Sequence, residues 1–89
     1  MLDENKKPDK VKEMNWTKSG DLYVLVEKDS QKTFSIDPIA FLVWLQCDGK
    51  TAVDHIVDVF SVDGNRDIVK AAIKGILEKL TENGLLKWV

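Results

Sequence analysis

An 89-residue chain with 44% hydrophobic and 31% charged residues is sized for one small domain around a single core, with little room for an enclosed active site. Its formal net charge of -2 and pI of about 5.3 argue against nucleic acid as the main partner, because cations that neutralise phosphate supply most non-specific affinity. No apolar run approaches the ~20 residues that cross a bilayer, no signal peptide is visible, and the lone Cys47 excludes an internal disulfide; these point to a soluble chain in a reducing cytoplasm, with no membrane partner.

Residues 1–12 alternate charges with almost no apolar anchor, the composition of a flexible tail that cannot repay its ordering entropy, which leaves residues 13–89 as the folded domain. From Glu13 to Thr17 a short strand is expected, with Met14 and Trp16 on one face. Lys18-Ser19-Gly20-Asp21 turns the chain into Leu22–Val26, apolar on both faces and suited to a central strand covered on each side. Asp29-Ser30-Gln31 turns it again into Lys32–Ile36. Three hairpin-linked strands make a meander whose third member lies at an edge.

Asp37-Pro38 then opens a helix, since an Asp N-cap accepts from an orphan helical N–H and Pro at the first turn forfeits no bond. This helix runs to Cys47 and is apolar from Ile39 to Leu45, so it needs cover on more than one side. Gly49 is expected to end it in a left-handed conformation, and Thr51 with Asp54 has the form of a capping box for a second helix over Ala52–Phe60. The stripe Val53, Ile56, Val57 and Phe60 would face the core, and Asp54 and Asp58 the solvent. Asp63-Gly64-Asn65 caps a third helix that ends at Asn83-Gly84, with Val69, Ile73, Ile76, Leu77 and Leu80 as its core stripe. A narrower stripe joins Ile68, Ala72, Gly75 and Lys79, with Ala71 beside it. Gly inside a helix costs about 1 kcal/mol relative to Ala, so Gly75 implies close approach of another element or of a ligand backbone. Leu85–Val89 is a short apolar tail, extended and packed back. Three strands followed by three helices is a winged-helix-like α+β arrangement.

Catalytic chemistry is not visible. His55 and Cys47 stand alone without an orienting third group, and Asp54, His55 and Asp58 fall short of the four ligands of a structural zinc site. No cofactor, metal or catalytic residue is expected. Two features rise above that background. The strand Lys32-Thr33-Phe34-Ser35-Ile36 lacks an internal Pro, Gly or mid-strand charge, so it can accept another strand unless the N-terminal tail or Leu85–Val89 covers it. Arg66, Lys70 and Lys74 lie four apart on one face of helix three, either as the cations of a DNA-reading helix or as a solvated face completed by Glu78 and Glu82.

The strand ending Phe34-Ser35-Ile36-Asp37, the apolar helix with Trp44 near its end, Asp48-Gly49 before Thr51, Ile56 and Val57, and the closing Leu80, Gly84, Leu85 and Leu86 together resemble the PqqD family, named for coenzyme pyrroloquinoline quinone (PQQ) synthesis protein D. The resemblance covers about residues 14–86. It implies a non-catalytic peptide chaperone, or RiPP recognition element, that binds the leader of a ribosomally made precursor peptide and presents it to a modifying enzyme, often a radical SAM protein. It further implies an edge made of Lys32, Thr33, Phe34, Ser35 and Ile36, to which the leader adds as an antiparallel strand. Helix three would supply the groove wall through Ile68, Ala71, Ala72, Gly75 and Lys79. The chain is expected to act as a monomer, with Phe41, Leu42 and Leu45 as a surplus apolar surface for the partner enzyme. A winged-helix DNA-binding regulator is the alternative.

Overall fold

The computed structural model describes residues 5–11, 14–62 and 64–88. In chain order it contains β1 (Pro8–Lys10), β2 (Met14–Ser19), β3 (Leu22–Glu27), β4 (Thr33–Ile36), α1 (Pro38–Gln46), α2 (Val53–Phe60), α3 (Arg66–Glu82) and β5 (Leu86–Trp88). The α+β class and the meander β2-β3-β4 hold as expected, with β3 central and β4 at an edge. A two-stranded sheet of β1 and β5 is added to them.

Both hairpins turn where the polar residues predict. Gly20 has a φ of 60° in the two-residue connection between Ser19 and Leu22, a left-handed value that suits the twist of the flanking strands. Gln31 takes the same φ at the second turn, where its side chain donates to the Lys28 carbonyl at 3.0 Å. The register aligns Trp16, Leu25 and Phe34 across the three strands, and Leu25 is completely buried beneath the helices. The expectation that β3 is covered on both faces is corrected. Val24 and Val26 are only half-buried and lie outside the core cluster, on a face whose neighbouring strands contribute Asn15, Thr17, Thr33 and Ser35.

Asp37 caps α1 by accepting from the Ala40 N–H at 2.7 Å. One side of α1 buries Ala40, Phe41, Val43 and Trp44, but Ile39, Leu42 and Leu45 are 59%, 48% and 42% exposed, so cover all round is not achieved. Phe41 also departs from its expected place on a surface. It stacks on Tyr23 with ring centroids 4.0 Å apart and is 4% exposed.

The junction between α1 and α2 differs from its expected capping. Cys47 is the C-cap, and Gly49, with a φ of 74°, bends the following turn instead of closing the helix directly. Thr51 is not an N-cap; Ala52 holds that position with no side-chain bond. Asp48 organises the turn, accepting from the Lys50 and Thr51 N–H groups at 2.8 and 2.9 Å and from the Thr51 hydroxyl. These donors hold its carboxyl below the ordinary value, the Lys50 N–H contributing most. The stripe Val53, Ile56 and Val57 is buried as expected. In α3, Asn65 caps the start by accepting from Asp67 and Ile68, and Ile73, Leu77 and Leu80 enter the core. Its end is a Schellman motif: Leu85 donates to the Leu80 carbonyl and Gly84, at a φ of 75°, to that of Thr81, both at 2.9 Å.

The flexible tail expected over residues 1–12 is corrected at Pro8–Lys10, which pair antiparallel with Leu86–Trp88. Met1–Glu4 and Lys12 lie outside the described residues. The buried Pro8 ring and backbone bonds anchor it together: the Pro8 carbonyl accepts from Gly49, the Lys6 carbonyl from Val53, and Val11 donates to Leu85. Lys10 then completes α1 from outside. Its ammonium donates to the Cys47 carbonyl at 2.9 Å and lies 5.0 Å over the Trp44 ring, placing a cation at the negative end of a helix that has none in its own last turn.

Candidate functional site

Pro8–Lys10 and Leu86–Trp88, from the two sequence segments that could have covered β4, pair with each other instead, and among the described residues β4 is a terminal strand. Its pairing fixes which backbone groups are outward. The Lys32 carbonyl accepts from the Glu27 N–H at 2.9 Å, and the register continues with Leu25 opposite Phe34 and Tyr23 opposite Ile36. Antiparallel ladders alternate, so Lys32, Phe34 and Ile36 turn their main-chain groups toward β3 while Thr33 and Ser35 turn both N–H and C=O outward. The side chains follow the opposite logic: Phe34 and Ile36 are half-buried on the core face, and Thr33 and Ser35 are exposed.

A trench runs between this edge and the C-terminal half of α3, widening into two clefts that share Asn83. The smaller, about 190 Å³, has Ala40 and Leu80 at its floor, Ile36 and Ile76 on its walls and Lys79 at its rim. The larger, about 300 Å³, is bounded by Met14, Phe34 and Leu85, with Glu27 and Lys32 beside them. An apolar-floored cleft and a larger one of mixed lining, flanked by two outward-facing residues of an edge strand, can receive an extended chain through main-chain bonds on one side and side-chain insertion on the other.

The predicted residues fall in three groups. Thr33, Phe34, Ser35 and Ile36 form β4, and Lys32 immediately precedes it. Lys79 lines the smaller cleft. Ile68, Ala71, Ala72 and Gly75 are exposed on α3 and line neither cleft, with Ile68 69% exposed. No atom stands within 4 Å of a Cβ built at Gly75, so among the described residues no packed element accounts for that glycine. Ile76, Leu80 and Asn83, by contrast, were not anticipated as groove residues. Ile76 lies one turn beyond Ala72 on the same row, a signal obscured because Ile76 and Leu80 read as core residues.

The basic face of α3 is not a uniform row of cations. The Arg66 guanidinium pairs with Asp54, and with Asp58 at 2.6 Å, which ties α3 to α2. Lys70 and Lys74 are half-buried and have partners of their own. Cys47 is fully buried while His55 is exposed. Burial pushes the Cys47 thiol up to about 12, with the Lys10 charge opposing and those of Asp48 and Asp9 adding.

Fold and site together define an α+β domain with an open strand edge beside a helix-walled trench. The model of the family described as coenzyme PQQ synthesis protein D (PqqD) matches residues 23–86, and the chain belongs to that family. A solved structure, TbiB1 in complex with the TbiA(beta) leader peptide, shares the fold with a TM-score of 0.68 at 18% identity, covering 89% of this chain and 94% of that one. No curated protein matches the chain. No helix among the described residues is long and apolar enough to cross a membrane.

Proposed function

We propose that this protein is a non-catalytic peptide chaperone that binds the leader of a ribosomally synthesised precursor peptide and presents the peptide to a modifying enzyme, a radical SAM protein in the reading the family suggests. The observation that carries it is the outward pair Thr33 and Ser35 beside the trench of α3. The leader adds antiparallel to β4, its main chain meeting that pair and its inward side chains meeting the helix. The solved complex of TbiB1 with a leader peptide, on the same fold, supports this reading. The protein acts as a cytoplasmic monomer whose affinity comes from the strand and whose selectivity comes from the trench. Duplex DNA is the weaker partner: net charge is -2 and the Arg66 charge is spent on two carboxylates of α2.

The test is a titration with the leader of a short precursor peptide, sought among the reading frames adjacent to this gene. Thr33→Pro and Ser35→Pro each remove an outward N–H without touching the β3–β4 ladder. Both are expected to abolish leader binding in a fluorescence-anisotropy titration while far-UV circular dichroism stays folded. Binding that survives in both variants overturns strand addition.

A further inference from the structure

We infer that the peptide accepted by β4 carries two apolar side chains at positions n and n+2, a branched aliphatic opposite Ile36 and a larger, aromatic one opposite Phe34. This rests on the strand-addition reading above and adds what the strand must contain. In a strand paired to Thr33 and Ser35 through their outward groups, the residues opposite Ile36 and Phe34 form non-hydrogen-bonded pairs and turn to the same face as those two side chains. That face is where the clefts open.

The cleft bordered by Ile36 excludes Phe34 and the cleft bordered by Phe34 excludes Ile36, so each inward position addresses its own cavity. The volumes assign the sizes. About 190 Å³ over the apolar floor of Ala40 and Leu80 suits a branched aliphatic group; about 300 Å³ with Phe34, Met14, Val11 and Leu85 on its apolar side and Glu27 and Lys32 on its polar side suits the flat face and polarisable edge of a ring. Antiparallel addition places the residue opposite Ile36 first, so the peptide reads aliphatic, any residue, aromatic from N to C. The intervening side chain points to the polar outer face with Thr33 and Ser35 and is unconstrained.

A random 12-residue peptide library displayed on phage and selected against the full chain reads this directly. The expected consensus is an aliphatic and an aromatic residue two apart in that order; alanine at either position of the synthetic consensus peptide lowers affinity about tenfold or more. Ile76→Glu puts a carboxylate on the wall of the smaller cleft, and Ala40→Met fills the same cleft from α1. Selection against either variant is expected to lose the aliphatic preference and keep the aromatic one. Amide shifts of Thr33 and Ser35 in 15N-labelled protein separate the two failures. Peptides that move those amides but show three- or four-residue spacing, or no spacing, overturn the two-cleft inference alone. Peptides that bind without moving them overturn strand addition with it.

Discussion

The two flanks of this molecule treat their backbone groups in opposite ways. On one, β1 and the residues before it close over the α1–α2 turn, where Lys6, Pro8 and Lys10 satisfy Val53, Gly49 and the end of α1. On the other, β4 keeps Thr33 and Ser35 outward along a trench. Edge strands are ordinarily guarded because an open one invites association. The chain has two short strands available for that duty, β1 and β5, and pairs them with each other. In the proposed reading the contrast separates a flank that supplies stability from one left open to a peptide, with Val11, just after β1, reaching the larger cleft between them.

Proline along β4 breaks this contrast hardest. Phe34→Pro removes an inward ladder N–H and is expected to cost roughly 3 kcal/mol in a urea melt, whereas Ser35→Pro, one residue on, leaves the melt nearly unchanged and removes binding. Next in size is the closed flank. Lys10→Ala deletes the cation at the α1 terminus and should lower stability by about 1–3 kcal/mol with peptide affinity unaltered. A loss of affinity in that variant would mean that the two flanks are coupled.

Alkaline pH probes the same flank. The Cys47 thiol is raised from 9.0 to about 12 by burial, so the native state holds its proton more tightly than the unfolded chain does. Its contribution is intact below pH 9 and is lost as pH rises toward about 12, which a series of urea melts above pH 9 measures. At pH 8 a thiol reagent should modify Cys47 only as fast as the protein opens. The smallest effect belongs to the open flank. Gly75→Ala meets no atom within 4 Å and should raise stability by about 0.5–1 kcal/mol through helix propensity. An accompanying loss of affinity would place the peptide backbone against Gly75; unchanged affinity confines it to the clefts around Ile76 and Asn83.

Legibility in the sequence tracked the range of the interaction. The caps by Asp37 and Asn65, the Gly84 terminus and the meander are local, and the residues themselves carry them. The Thr51–Asp54 pattern was equally local yet did not form a capping box, because Asp48 captures both the N–H and the hydroxyl of Thr51 first. Ile76 and Leu80 were read as core although they also line a groove, since period alone gives a direction around a helix and not the width of the gap it faces.

By itself, then, the sequence determined the three-strand, three-helix order, the edge position of Thr33–Ile36 and the absence of guarding residues within it. These follow from turn chemistry, capping and two-residue alternation, all of which act within a few residues. Tertiary structure decided that Pro8–Lys10 joins Leu86–Trp88, that the edge stays open among the described residues and that the trench is lined by Ile76, Lys79 and Asn83. The pairing joins segments about 80 residues apart and the trench sets α3 against β4, and a charged tail that buries Pro8 carries no local signal of the backbone partners waiting for it.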